Sequence, residues 1–227
     1  MYESALGRSG LPVDEALSMG VHESQSLFWE RHVGLSRAFW VYAGGKVRKA
    51  LGVKADEEEL YRATNVVKPS LIRVEADELT YPMHVILRFE IERKLLAGDM
   101  TVDEVPAVWK SRMNDLLGVE VPDDRRGCLQ DVHWSGLAVG YFPTYLLGAM
   151  MAAQLEHHMR LDMPDLDAKI AAGDFTPVRK WLNGKVHEYG SEPKSMDELL
   201  ERAVGEPLSP KYLIDYLTEK YTDIYKL

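Results

Sequence analysis

The sequence contains a single cysteine, Cys128, among its 227 residues. One thiol cannot form an internal disulfide, so a small fold held together by disulfides is excluded. No stretch of roughly 18 consecutive apolar residues occurs, and no membrane-spanning helix is therefore predicted. The first residues, Met1-Tyr2-Glu3-Ser4, carry neither the basic nor the apolar region of a signal peptide. The cytoplasm is therefore the expected compartment.

Basic residues are scarce relative to acidic ones. The chain has 27 lysines and arginines against 36 aspartates and glutamates, which gives a formal net charge of −9. A protein that binds duplex nucleic acid needs a basic stripe to neutralise phosphates. Nucleic acid is therefore not an expected partner, and the acidic charge also disfavours docking on an anionic membrane.

The composition is that of a globular protein with a hydrophobic core. Hydrophobic residues make up 46% of the chain, an ordinary share for such a protein. The sequence shows no repeats, no low-complexity tract and no evident linker. We therefore predict one mainly α-helical domain over residues 1–227.

The helices are predicted from prolines that begin them, glycines that end them and capping residues. Pro12 and Asp14 favour a long helix over residues 13–43 that ends at Gly44-Gly45. The capping box Thr101-x-x-Glu104 predicts a helix to Leu117. Residues 118–140 are predicted to form loops and turns, after which Pro143 starts a helix to about Leu161. Further helices are predicted over 1–6, 46–51, 56–62 and 77–97, and from Pro164, Thr176, Ser195 and Ser209.

One short sheet is predicted. Residues 63–67 and 71–74 are rich in β-branched side chains and flank the turn sequence Lys68-Pro69-Ser70. Two such runs around a proline turn are typical of a β-hairpin. The predicted fold class is thus a helical domain with a small β-hairpin or sheet.

A polar cluster follows the predicted hairpin. Gln130, Asp131, His133, Tyr141 and Tyr145 lie within 16 residues of one another. An active site needs such variety, because proton donors and oxyanion stabilisers must converge on one atom. Asp131 could orient an imidazole, and a tyrosine hydroxyl could donate to an oxyanion. The alternative is structural, since tyrosines that pack into helix grooves give a similar pattern.

Two other segments are candidates for a site. Glu23, in His22-Glu23-Ser24-Gln25, is either a solvated helix residue or a carboxylate ligand that completes a zinc site. Arg73, in Ile72-Arg73-Val74-Glu75-Ala76-Asp77, is either a surface residue before a helix cap or a guanidinium fork for a carboxylate. The sequence contains no His-Glu-x-x-His, which places two zinc-binding imidazoles and a general base on one helix.

These segments occur together, in this order, in one known family. The chain resembles the C-terminal part of the thermostable (Taq-type) metallocarboxypeptidases. The resemblance rests on His22–Gln25, on Ile72–Asp77 and on Gly127–Trp134, which reads Gly-x-x-Gln-Asp-x-His-Trp. The flanks, including residues 84–88 and 140–148, agree as well, so that essentially the whole chain is covered.

The resemblance implies a mainly helical protein with a deep groove and a small sheet beside it. It implies removal of single amino acids from peptide C-termini with a divalent metal, zinc or cobalt. In the family the third protein ligand corresponds to Glu23, and the receiver of the substrate carboxylate corresponds to Arg73. His133 and a following tyrosine, Tyr141 or less favoured Tyr145, correspond to groups that contact the reacting carbonyl. His22, Gln130 and Asp131 would support them.

The chain also departs from the family pattern. Met1-Tyr2-Glu3 resembles the run that continues the family's His-Glu-x-x-His helix, so we expect an N-terminal half with two metal ligands and the base to be missing. Leu27 stands where an arginine is expected. We therefore expect that these 227 residues alone bind no metal and have negligible activity.

Two hypotheses remain open at this point. In the first, the chain is part of a peptide-cleaving carboxypeptidase whose partner is the missing N-terminal half. In the second, it is a non-catalytic helical remnant that binds peptides or dimerises. A truncation would also expose apolar surface, which favours self-association, including a homodimer.

Overall fold

The computed structural model describes residues 2–7 and 9–227, and within these residues it is helical, without β-strands. The chain divides into two compact units: unit I comprises Met1–Thr64 and Leu147–Leu227, and unit II comprises Asn65–Leu146. The single domain predicted for residues 1–227 stays a prediction. The helices are α1 (Tyr2–Ala5), α2 (Met19–Leu27), α3 (Arg37–Leu51), α4 (Glu57–Thr64), α5 (Tyr81–Ala97), α6 (Val105–Leu117), α7 (Pro143–Asp162), α8 (Leu166–Ala171), α9 (Thr176–Lys185), α10 (Met196–Val204) and α11 (Lys211–Tyr225).

The long helix predicted over residues 13–43 is divided in the structure. Pro12–Asp14 forms a short 3₁₀ turn, α2 follows, and Phe28–Gly34 winds as a π-helix. The Ser36 side chain then accepts a hydrogen bond from the Phe39 amide and caps a new helix, α3.

The predicted stop at Gly44-Gly45 is wrong. Helix α3 continues through both glycines to Leu51 and ends at Gly52, whose φ of 68° is left-handed. A Cβ at Gly44 would lie 3.1 Å from Cγ of Glu57, so the missing side chain lets α4 pack closely against α3.

The separate helix predicted over residues 46–51 is the end of α3, and the other helix predictions are confirmed within about one turn. Thr101 and Glu104 form the predicted capping box, and α6 ends at Leu117. Helix α7 starts at Pro143, and Ser195 caps α10 by accepting a hydrogen bond from the Glu198 amide. Residues 118–142 contain turns and no helix or strand. None of the described helices is both long enough and apolar enough to cross a membrane.

The predicted β-hairpin is absent from unit II, where residues 65–72 form an irregular segment and Arg73–Glu75 a 3₁₀ turn. Side chains satisfy its backbone in place of a strand ladder. The Lys68 amide donates to Asp77 Oδ2 at 2.9 Å, and the Arg73 amide donates to Gln130 Oε1 at 2.8 Å. Gln130 Nε2 donates to the Leu71 carbonyl at 3.0 Å. The β-branched residues predicted strands, but these non-local bonds decide the conformation.

Unit II is built on the packing of α5 against α6. Its core contains eight buried residues: Leu87, Ile91, Met100, Val105, Trp109, Met113, Val121 and Cys128. Helix α5 also buries a polar row, His84, Arg88 and Glu92, at spacings of four residues. Because residues four apart share a helix face, this row lies on one side of α5.

We predict that Gln130→Ala destabilises the protein by about 1–3 kcal/mol, because the Arg73 amide and Leu71 carbonyl each lose a partner. Ser135→Ala is the control: Ser135 is exposed, and its hydroxyl donates only within its own turn. Denaturant unfolding of both variants measures the difference. Equal stability of the two variants would contradict this role for Gln130.

Candidate active site

Asp131 lies between two buried arginines of unit II. Its Oδ1 accepts from Arg73 Nε at 3.0 Å and Nη2 at 2.8 Å. Its Oδ2 accepts from Arg88 Nε at 2.6 Å and lies 2.5 Å from Arg88 Nη2. The side chains of Arg73, Arg88 and Asp131 are 7%, 0% and 6% exposed. We call these three residues the arginine–aspartate clamp.

All three clamp residues are charged at neutral pH. Burial raises the pKa of Asp131, but Arg88 and Arg73 outweigh it and hold that pKa below 3.8. Burial lowers the pKa of Arg88 to about 10, and Asp131 opposes that shift. Burial also lowers the pKa of Arg73, but Asp131 and Tyr81 outweigh it, so the net shift is upward. The clamp alone therefore carries one surplus positive charge.

Arg73 is fixed on several sides. In addition to its bonds to Asp131, Nη1 donates to the Tyr81 hydroxyl at 2.9 Å. The guanidinium carbon lies 5.0 Å from the ring centre of Tyr145 and 5.6 Å from that of Phe142. These contacts use three of the five N–H donors of a guanidinium. Contrary to the surface alternative, Arg73 is thus buried.

His133 faces the aromatic side of the clamp. Its Nε2 lies 3.0 Å from the Tyr145 hydroxyl, and its ring centre lies 4.3 Å from that of Phe142. Burial, then Arg73, lower the pKa of His133, so the ring is neutral at pH 7. Tyr141 touches the His133 ring with a centre-to-centre distance of 5.6 Å. Of the two candidate tyrosines, Tyr145 is therefore the one whose hydroxyl pairs with His133.

Asp131 does not orient the imidazole of His133 through a hydrogen bond, as the sequence suggested it could. Oδ1 of Asp131 lies 3.9 Å from His133 Nδ1, beyond hydrogen-bond distance, because both carboxylate oxygens are directed at arginines. Gln130 instead joins the 126–130 turn to residues 71–73. Both residues hold Arg73 in place.

Unit I carries the remaining candidates. Glu23 lies half-buried on α2, and a Cβ at Gly148 of α7 would come within 2.9 Å of the Glu23 Cβ. His22 Nε2 lies 3.2 Å from Glu3 Oε1. Next to them, Gln25 Oε1 lies 2.8 Å from Nε2 of the buried His187.

Sequence reasoning missed Arg88, His187 and Gly148 as parts of these sites. Arg88 had a signal, because it lies three residues from both Val85 and Ile91, which α5 buries. An arginine in a buried helix face requires a carboxylate partner. His187 and Gly148 had no signal of this kind, because their contacts join residues more than 100 positions apart.

Comparison with known proteins decides the family. Residues 1–221 match the profile described as carboxypeptidase Taq (M32) metallopeptidase. This chain belongs to the M32 carboxypeptidase family. The predicted resemblance is thereby confirmed.

Individual M32 relatives agree. Carboxypeptidase 1 of Bacillus subtilis is 45% identical over 222 residues, which cover 96% of this chain and 44% of that protein. Thermostable carboxypeptidase 1 of Thermus thermophilus is 39% identical over 99% of this chain and 45% of its own length. A crystal structure of M32 carboxypeptidase from Deinococcus radiodurans R1 superposes with a TM-score of 0.94 at 40% identity, over all of this chain and 46% of that one. The chain thus spans less than half of these relatives.

Membership in a metallopeptidase family implies a divalent metal. A catalytic zinc site takes three protein ligands. Among residues 2–7 and 9–227, no group of three or more His, Cys, Asp or Glu side chains is arranged to hold a metal. The residues that the structure describes therefore do not form a complete metal site, although the Glu23 carboxylate has the chemistry of one ligand.

We predict that Asp131→Asn lowers the free energy of unfolding by about 3–5 kcal/mol, because two buried guanidiniums lose their counter-charge. The exposed Asp123→Asn, which breaks only the pair with Arg126, should leave stability unchanged. Because the folded-state pKa of Asp131 is lowered, its contribution is present above pH 3.8 and is lost as pH falls through the folded-state value.

Denaturant unfolding of both variants between pH 7 and pH 3 measures these effects. The wild type should lose a component of stability on acidification that Asp131→Asn lacks. Parallel pH profiles for the two proteins would show that Asp131 does not carry this component.

We predict that Gly148→Ala destabilises unit I by about 1–3 kcal/mol, because the added Cβ overlaps Glu23 and the Ser24 backbone. The control is Gly184→Ala in α9, where no atom lies within 4 Å of the added Cβ. Gly184→Ala should stabilise the protein by about 0.5–1 kcal/mol. If the thermal unfolding temperature shifts in the same direction for both variants, the packing of α7 on Glu23 is not tight enough to limit the stability of unit I.

Proposed function

We propose that this chain supplies the substrate-carboxylate side of a metal-dependent carboxypeptidase that releases single amino acids from peptide C-termini. The observation that carries the proposal is the clamp, in which Asp131 holds a buried arginine while part of its fork stays unused. Membership in the M32 family supports the reaction class.

Arg73 is suited to receive a peptide's terminal carboxylate. Three of its N–H donors are engaged, which leaves two for a ligand. The orientation is fixed in advance by Asp131, Tyr81 and Gln130, so that little ordering is needed when the ligand binds. A carboxylate would also neutralise the surplus charge of the clamp.

His84, a neighbour of Arg73, does not compete with it for that carboxylate. His84 is fully buried, and burial, then Arg88 and Arg73, lower its pKa to about 4. It is therefore neutral at pH 7. Recognition of the carboxylate falls to Arg73, and it distinguishes a free C-terminus from an internal peptide bond.

His133 and Tyr145 would stabilise the reacting carbonyl. A neutral imidazole and a phenol can each donate one hydrogen bond. Their 3.0 Å contact fixes both groups and uses one of these two hydrogens, so that the pair keeps one donor for a developing oxyanion, and such a donor lowers the barrier. We assign this role to Tyr145 rather than Tyr141, because only its hydroxyl pairs with His133.

Glu23 would be one ligand to zinc or cobalt. The remaining ligands and the general base would come from a polypeptide that carries His-Glu-x-x-His, which this sequence lacks. We therefore propose that the 227 residues alone retain no metal and have negligible activity. The cytoplasmic location and the homodimer stay predictions.

Complementation tests this proposal. The chain would be co-expressed with the part of Bacillus subtilis carboxypeptidase 1 that it does not cover. We expect the pair to retain metal and to release C-terminal amino acids, because the pair restores all ligands. Each polypeptide alone, and the pair with Glu23→Gln, should do neither. Activity in the isolated chain, or an inactive but well-folded complex, would contradict the proposal.

Arg73→Lys tests carboxylate recognition in the same complex. Lysine keeps the charge and loses the fork, so kcat/KM for a free-acid peptide should fall about 10- to 100-fold, as expected for about 1.5–3 kcal/mol. Cleavage of the matching C-terminal amide, already poor, should change little. The control Arg126→Lys lies on the exposed 123–126 turn. An equal loss on acid and amide would show that Arg73 does not read the carboxylate.

A further inference from the structure

Helix α2 carries the candidate metal ligand Glu23, but this helix is short and the backbone changes at both of its ends. It has nine residues, with extended backbone at Ser18 before it and the π-helix Phe28–Gly34 after it. A helix of this length is marginal without tertiary contacts. The rotation of α2 about its own axis, and with it the direction of Glu23, therefore depends on contacts with the rest of unit I.

On one side of α2, the close approach of α7 sets the distance. Gly148 has no room for a side chain, because a Cβ there would lie 2.9 Å from the Glu23 Cβ and 3.0 Å from the Ser24 amide nitrogen. Gln25 lies on the roughly opposite side, since residues two apart in a helix are separated by about 200°. A contact at Gln25 would thus hold α2 from behind Glu23.

Gln25 makes such a contact with His187. Both residues are buried, with 5% and 1% of their surface exposed. Gln25 Oε1 lies 2.8 Å from His187 Nε2, and Gln25 Nε2 donates to the Ser24 hydroxyl at 2.9 Å. That hydroxyl donates in turn to the Val21 carbonyl at 2.6 Å. The bond from His187 therefore continues through two side chains into the backbone of α2.

These hydrogen bonds define which nitrogen of His187 carries the proton. Burial lowers the pKa of His187 to about 4, so the ring is neutral at pH 7 and has one N–H. Gln25 Oε1 can only accept, and the nitrogen of the same amide is used on Ser24, so the N–H belongs to Nε2. Nδ1 lies 2.6 Å from Oδ1 of Asn183. Because Nδ1 then has no hydrogen to donate, the Asn183 amide must turn its nitrogen toward the ring.

The His187 ring is itself fixed by its surroundings. His187 begins a 3₁₀ turn just after helix α9, and Asn183 lies in the last turn of that helix. The Tyr2 ring packs against the imidazole at a centre-to-centre distance of 5.1 Å. His187 therefore connects α9 to α2 across 162 positions of sequence.

We propose that His187 is a positioning residue for Glu23. By donating to Gln25 it fixes the rotation of α2, and with it the direction in which the Glu23 carboxylate is presented. The exposed pair of His22 and Glu3 cannot replace this bond, because surface pairs contribute little. The inference rests on the proposed role of Glu23 as a ligand to the metal.

Two substitutions separate the two nitrogens of His187. In His187→Gln the amide nitrogen lies as many bonds from Cβ as Nε2 does, so the donor to Gln25 is kept. In His187→Asn the amide takes the place of Nδ1, so the bond to Gln25 is lost. The control is His157→Asn, at an exposed histidine of α7.

Hydrogen exchange of the 227-residue chain measures the effect on α2. We expect the amides of residues 23–27 to exchange at least about tenfold faster in His187→Asn, as the loss of a buried hydrogen bond implies. Those of α11, in the same unit, should change much less. His187→Gln and the control should stay close to wild type.

Co²⁺ is the probe in the complex with the uncovered part of Bacillus subtilis carboxypeptidase 1. His187→Asn should weaken Co²⁺ binding at least about tenfold and alter its visible absorption, because residues that orient a ligand tune the metal. His187→Gln should restore both. Gln25→Leu should match His187→Asn, and the double variant should be no worse than either, because both changes remove the same bond.

Several results would overturn the positioning role. Equal acceleration of exchange in α2 and α11 would indicate a general loss of stability. Co²⁺ binding as tight in His187→Asn as in wild type, no rescue by His187→Gln, or additive effects with Gln25→Leu would show that His187 does not act through Gln25. Failure of the wild-type complex to bind Co²⁺ would instead overturn the proposed function, and the exchange rates in the isolated chain would still decide whether His187 fixes α2.

Discussion

The buried carboxylate of Asp131 is the constraint on which unit II depends. It joins three segments that are distant in the sequence: the 3₁₀ turn at Arg73, helix α5 at Arg88 and the 127–134 loop. Removing charges from water costs several kcal/mol per ion, and only close geometry repays it. Here both oxygens face guanidinium groups, and Arg88 stacks 4.6 Å from the ring centre of Trp109. The clamp therefore fixes position more than it adds stability.

The same arrangement explains how an irregular segment is held without a sheet. Residues 65–72 form no ladder, yet their backbone is tied by Asp77 and Gln130. Glu92 likewise holds the loop that carries His133. It accepts hydrogen bonds from Trp134 Nε1 at 2.7 Å and from the Gly140 amide at 3.1 Å. Helix α5 thus acts as a rigid support whose polar row orders the loops that carry Arg73 and His133. Sites on loops gain precision when such a scaffold fixes them.

The sequence predicted local features well and non-local ones poorly. Capping residues act over three or four positions, so Thr101, Pro143 and Ser195 marked their helices correctly. The hairpin prediction failed because β propensity describes a fit to neighbouring strands, and here Gln130, far along the chain, bonds that backbone instead. Gly44 failed as a stop signal for a similar reason: a glycine within a helix can serve close packing. The candidate site residues came from motifs, whereas Arg88, which completes the clamp, became visible only once α5 and Asp131 were placed together.

Buried imidazoles in both units follow one physical rule. The pKa values of His32, His84, His133 and His187 are all lowered, with burial as the largest cause, and nearby arginine or lysine adds to the shift at the first three. At neutral pH these rings are therefore uncharged, and the polar contacts that they make are hydrogen bonds between neutral groups and not ion pairs. His187 uses both nitrogens on Gln25 and Asn183, and His133 uses one on Tyr145. Burial, with Arg73 as the next cause, lowers the pKa of His133 and keeps the ring neutral, so that His133 and Tyr145 together hold two polar hydrogens, one of which their own contact uses. Asp131 thus fixes the position of Arg73, and Arg73 adds to the effect of burial on the pKa of His133.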